Sequence, residues 1–116
     1  MIKVKIDRNA DGSIRSFAVS GHALYADPGK DIVCAGVSSV TVGTVNAIEA
    51  LTGVVLISRM KDGFLRAAVP ELDPEDKSDQ VQLLLEAMVV MLNSIENAYG
   101  EFITVSDGNT IHSRRR

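Results

Sequence analysis

The chain has no tryptophan, and only two tyrosines and three phenylalanines among 116 residues. Surfaces that stack the bases of single-stranded nucleic acid lean on exposed aromatics, so the composition argues against one. Cysteine occurs once, at position 34, which excludes an internal disulfide and a Cys-x-x-Cys redox pair. One cysteine, two histidines and scattered aspartates lack any metal-ligand spacing, so no metal is expected. No glycine-rich phosphate loop is present, and no cofactor is expected. Positive charge is short as well: 12 Lys and Arg against 15 Asp and Glu leave a formal −3. That balance argues against phosphate binding, and no direct nucleic-acid contact is expected. The basic run Arg114, Arg115, Arg116 reads either as a solvated tail or as an RNA contact. No stretch approaches the ~18 unbroken apolar residues of a membrane span. The opening residues alternate charge with apolar side chains rather than forming a signal peptide. A cytoplasmic protein with no membrane partner is the expectation, and a free thiol suits that reducing compartment.

With 46% hydrophobic and 23% charged residues, the composition is that of a soluble globular protein. The length suits one domain over 1–116, with a polar tail from about residue 107. Ile2, Val4 and Ile6 alternate with Lys3, Lys5 and Asp7, the pattern of a half-buried strand. Asn9, Ala10, Asp11 and Gly12 then predict a turn into a second strand over 13–20. Residues 54–60 and 64–69 predict another strand pair about Lys61, Asp62 and Gly63. Between the pairs, Val33, Val37, Val40, Thr44, Ala47 and Leu51 recur at helical spacing, opposite the small residues Ala35, Gly36, Ser39, Gly43 and Asn46. A helix over 33–52 follows, stopping near Gly53. A second long helix is predicted from Asp73 and Pro74 to Gly100, with Met88 and Met91 in the core. Val89 and Val90 widen its apolar band enough to meet a partner subunit. The order is β-β-α-β-β-α, to which residues 102–105 can add a short final strand. This is an α+β fold.

Two side chains carry chemistry. Cys34 is expected in the first turn of the earlier helix, just after Asp31, where unpaired N–H groups and the dipole favour a thiolate. The same N–H groups, near 34–36, would donate to an oxyanion. His22 follows Gly21 at the end of the second strand. Between them runs Ala23, Leu24, Tyr25, Ala26, Asp27, Pro28, Gly29 and Lys30, a loop able to fold the imidazole back onto the thiol. A histidine within reach of a cysteine is the minimum for thiol nucleophilic catalysis. On spacing alone other roles stay open: Cys34 as a buried small hydrophobe, His22 as a structural hydrogen-bonding residue. Asp31 is a helix N-cap or an orienter of His22, and Ser38 a wall of the site or a small packing residue. Lys30 reads as a solvated loop lysine, and His112 lies in the polar tail.

The run Gly21-His22-Ala23, followed by Gly29-Lys30-Asp31-Ile32-Val33-Cys34-Ala35-Gly36-Val37-Ser38, closely resembles the signature of the ribosomal-processing cysteine protease family, Prp. The resemblance continues through Val45, Asn46, Ala47 and Ile48, and more loosely over the whole chain. It implies a cytoplasmic cysteine endopeptidase that removes the short N-terminal extension of a large-subunit ribosomal protein. It further implies a homodimer of two-layer α/β subunits, here a mostly antiparallel sheet of four to five strands packed against two long helices. The family's nucleophile corresponds to Cys34 and its histidine to His22. Gly21, Asp31, Ala35, Gly36 and Ser38 fall at positions that shape the site, and 23–30 is expected to be a substrate-gating loop. The rival from another class is a non-catalytic ribosome-assembly module, in which Cys34 is core and the loop a recognition element.

Overall fold

The alternation at the start of the chain builds the floor of the molecule. In the computed structural model, which describes residues 1–21, 28–61 and 63–108 (for 28–31 the backbone alone), strand β1 spans Ile2–Arg8. Its Ile2, Val4 and Ile6 are buried while Lys3 and Lys5 face water, so one face of the pleat is core and the other open. A turn closed by Asn9 N–H to Ser13 C=O (2.8 Å) leads into β2, Ile14–Ser20, antiparallel to β1. Asp11 braces that turn by accepting from the Ser13 N–H at 2.9 Å and its hydroxyl at 2.6 Å. Helix α1, Pro28–Thr52, crosses to the hairpin of β3, Ile57–Lys61, and β4, Phe64–Ala68. Helix α2, Ser78–Tyr99, returns the chain to β5, Ile103–Asp107, which lies parallel to β1. The five-stranded mixed sheet has the order β3-β4-β2-β1-β5. Of the expected 102–105, residues 103–105 lie in this final strand, which runs on to Asp107, and the fold is α+β as expected.

Both helices join one core with the inward side of the sheet. From α1 come Val33, Val37 and Ile48, and from α2 Val81, Leu85, Met88, Val89 and Leu92, against Val4, Ile6 and Phe17. The buried line of α1 also contains Thr41 and Thr44, whose hydroxyls donate to the carbonyls of Val37 (2.8 Å) and Val40 (2.6 Å) in their own helix. Helix α1 is long and apolar enough, over Ile32–Thr52, to cross a membrane by length and composition. Val33, Val37 and Ile48 of that stretch are buried in the core, while Ile32 and Leu51 are exposed.

Several boundaries differ from expectation. Helix α1 starts at Pro28, because proline at the first helical position loses nothing and comes with a suitable φ. Helix α2 starts at Ser78, not beside Asp73. The stretch before it closes on itself, with Asp76 N–H to Asp73 C=O at 2.9 Å and Asp73 N–H to the Asp76 carboxylate at 2.7 Å. Strand β3 begins at Ile57, and Val54 and Leu56 are buried in the segment leading to it. Met88 is buried as expected, but Met91 is 43% exposed, one residue off the line Val81, Leu85, Met88, Leu92. Leu51, expected on the buried side of α1, is exposed as well. Asp107, expected in the tail, belongs to β5.

The end of the sheet at the β1–β2 turn is locked by Arg8. Its guanidinium, almost fully buried, takes Glu86 of α2 at 2.6 and 3.0 Å, Asp107 of β5 at 2.8 and 3.0 Å, and the Gly12 carbonyl at 2.8 Å. These bonds raise its pKa above the ordinary arginine value, first through Glu86 and then through Asp107. Gln82 of α2 exchanges two bonds with the backbone of Ile14, at 2.8 and 2.9 Å. One end of the sheet is thereby tied to α2 by charge-assisted and paired bonds.

Candidate active site

The opposite end of the sheet holds a cleft of about 260 Å³ between α1 and the β3–β4 hairpin. Cys34 opens onto it, half-buried, with its other side against the core. On the helix wall Ser38 and Thr41 follow at one and two turns, with Val37 and Val42 beside them. The facing wall is Met60, Gly63, Phe64 and Leu65, and Val19 and Ile2 form the floor. Among the described residues Lys61 is the one charged lining group. The Thr41 hydroxyl is already engaged by Val37, so the cleft offers a thiol, an apolar slot and a cation at the rim.

Gly21 closes the near end, and it has to be glycine. Its φ is +87°, and a Cβ built on it would lie 2.4 Å from the Met1 carbonyl oxygen. Its N–H donates to the Gly63 carbonyl at 3.0 Å. The end of β2 is therefore pinned to the cleft's hairpin wall, which sets where the chain departs toward His22.

Of the residues singled out by sequence, Gly21, Cys34 and Ser38 are brought together in this cleft. Ala35 and Gly36 are not among its walls. Ala35 is exposed, and Gly36 faces α2, where a Cβ would sit 3.8 Å from the Ile95 Cδ1. His22 and 23–27 of the expected loop lie outside the described residues. Pro28, Gly29 and Lys30 belong to α1 rather than to a loop, and Asp31 is the fourth residue of that helix, so it is not its N-cap. Cys34 accordingly sits in the second turn, where the dipole's effect has faded. The amides of 34–36 are used inside the helix and give no oxyanion donor. The amides of this helix end without an intrahelical partner are those of Gly29 and Lys30.

Thr41 and Val42 follow Cys34 at seven and eight positions, a helical repeat legible in sequence. The hairpin wall is not legible that way, since it depends on β4 pairing with β2.

The match to known proteins covers the same ground. The family model for cysteine protease Prp matches residues 1–104. The chain belongs to the cysteine protease Prp family. The ribosomal processing cysteine protease Prp of Bacillus subtilis is 42% identical over 109 residues, covering 91% of this chain and 96% of that protein. The crystal structure of the essential ribosomal processing protease Prp from S. aureus with a substrate peptide superposes at a TM-score of 0.82, with 35% identity over 92% of this chain and 99% of that one. The S. aureus Prp structure with a covalently linked product peptide gives 0.78 at the same identity and coverage. Membership in the Prp family decides for a peptide hydrolase over the non-catalytic module.

Proposed function

We propose that this chain is a cysteine endopeptidase that removes the N-terminal extension of a large-subunit ribosomal protein, with Cys34 as nucleophile and His22 as its base. The observation that carries this reading is the thiol of Cys34 on a peptide-sized cleft, at the point where Gly21 delivers the chain to His22. Support for the substrate comes from the relatives, which are named as ribosomal processing proteases. His22 takes the thiol proton, and the sulfur attacks the scissile carbonyl. The tetrahedral intermediate collapses to a thioester as His22 returns the proton to the leaving amine. Water, deprotonated by His22, then releases the new carboxylate and the thiol. The apolar walls Val42, Met60 and Leu65 seat an apolar substrate side chain.

The test is cleavage of an N-terminally extended ribosomal protein, with Cys34→Ala and His22→Ala as controls. Each substitution is expected to lower kcat/KM by about 10³-fold or more. Cleavage at the wild-type rate by either variant overturns the assignment. Rapid alkylation of Cys34 by iodoacetamide near neutral pH, lost in His22→Ala, gives an independent readout of the pair.

The working unit is proposed to be a homodimer in the cytoplasm, joined through α2. Its Leu83 and Val90 are 69% and 64% exposed, beside an apolar groove formed with Gly43 and Ala47 of α1. Sedimentation of Leu83→Glu as a monomer, against a wild-type dimer, is the expected outcome.

A further inference from the structure

The net charge of −3 averages over two unlike faces. The register places Lys3, Ser20, Phe64 and Lys61 in one row across the open side of the sheet, with Thr104 at its end. The next row is Ser106, Lys5, Ala18, Arg66 and Arg59. Five cations thus share two adjacent rows, and all five are exposed. Among the described residues of this face the one carboxylate is Asp7, in a third row. It accepts the Ser16 hydroxyl at 3.3 Å, and Arg66 reaches that same hydroxyl at 3.4 Å. The acids lie elsewhere: Glu49 and Asp79 on the helices, and Glu71, Asp73 and Glu75 in the segment before α2.

Two observations separate this from an ordinary solvated face. Arg59 and Arg66 are direct cross-strand partners, and like charges so placed destabilise a sheet. Lysine and arginine on an edge strand discourage aggregation, which accounts for Arg59 and Lys61. It does not account for Lys3, Lys5 and Arg66, which sit on the inner strands β1 and β4. Over the first row lies a hollow of about 560 Å³, lined by Lys3, Lys5, Ala18, Ser20, Phe64 and Thr104. Ser20, Thr104 and Ser106 give it hydroxyls, while Met1, Val4 and Phe64 help make most of its exposed lining apolar. It thus holds donors for phosphate and ribose oxygens, and apolar surface, the Phe64 ring included, for a base. The rows stand about 7 Å apart along the strands, close to the repeat of an extended ribonucleotide chain.

We propose that this open sheet face is a binding surface for single-stranded RNA, adjoining the peptidase cleft at Lys61 and Phe64. Phosphates contact Lys3, Lys5, Arg59 and Arg66, and a base rests against Phe64. The sequence alone pointed away from nucleic acid because the cations come together only through strand pairing.

The test is fluorescence anisotropy of a labelled RNA of about twelve nucleotides, titrated from about 50 to about 200 mM salt. Binding is expected with a log–log salt slope near −3, reflecting about four phosphate contacts. The double variants Lys3→Gln/Lys5→Gln and Arg59→Gln/Arg66→Gln should each weaken it about fivefold or more and flatten the slope by about 1.4. Lys3→Gln/Lys5→Gln should melt like the wild type and keep peptidase activity, and Arg59→Gln/Arg66→Gln, relieved of its like-charge pair, should melt no lower. Phe64→Leu should weaken binding with an unchanged slope. Replacing Arg114, Arg115 and Arg116 by Gln should leave most of the affinity. Absence of binding at the lowest salt overturns the proposal. So does binding that the arginine-tail variant abolishes and the face variants preserve. Competition by polyglutamate as effective as by RNA would make the face a docking site for acidic protein and equally overturn it.

Discussion

The two hairpins of the sheet have the same antiparallel pairing and opposite characters. The β1–β2 turn is fastened from every side: Asp11 braces it, Gln82 holds Ile14, and Arg8 ties it to α2 and β5. The β3–β4 turn lies at the other end of the sheet, and every residue of the edge strand β3 is exposed. Its Met60 is 63% exposed although it points to the helix side, because it forms a wall of the cleft. Stability is concentrated at one end of the sheet, and the thiol's surroundings at the other. A binding cleft needs walls not consumed by packing, so the two demands are met at different ends.

The largest effect that would test this division is at Arg8. Arg8→Met should cost about 3 kcal/mol, near the lower end for breaking a buried ion pair because Glu86 is half exposed. Thermal unfolding measures it, while peptide turnover well below the midpoint should stay within about twofold. A loss of turnover matching the loss of stability would show that the two ends are not separate. Gly21→Ala comes next, at about 2 kcal/mol, from the positive φ and the approach to the Met1 carbonyl. Here cleavage should fall more than stability does, since the displaced strand end carries His22. Met60→Ala should leave the melting curve unchanged and raise KM about three- to tenfold with little change in kcat, the mark of lost substrate seating. If kcat falls instead, Met60 positions the reacting groups.

How much of this was legible beforehand follows the range of the interactions. Local periodicity places β1 on Ile2, Val4 and Ile6, and α1 on Val33 and Val37, because one face of each element makes the pattern. Proximity of His22 and Cys34 in the chain, within a distinctive motif, marks the proposed site. The helix start was misread at Asp31 because a capping side chain competes with Pro28, and only the backbone decides. The need for glycine at 21 rests on a contact with Met1, and the cleft's second wall on β4 beside β2. The cationic rows likewise arise from register between strands up to about 60 residues apart. Interactions of that kind leave no periodic trace.

The smallest expected effect lies in the fastened hairpin itself. Asp11 is held below the ordinary aspartate range by the Ser13 hydroxyl and then by the Ser13 N–H. A carboxyl whose pKa is lower folded than unfolded adds stability above the unfolded value and loses it as pH falls through the folded one. The turn should therefore weaken only on acidification through the carboxylate range and be insensitive around neutrality. Asp11→Asn keeps an acceptor for Ser13 but removes the titration. Its melting midpoint should fall slightly at neutral pH and converge with the wild type in acid. Because Asp11 is fully exposed, solvent screens the interaction and the difference should be less than that of Gly21→Ala. Parallel curves at all pH values would mean that the carboxylate charge does nothing for the turn, leaving Arg8 and Gln82 to fasten that end.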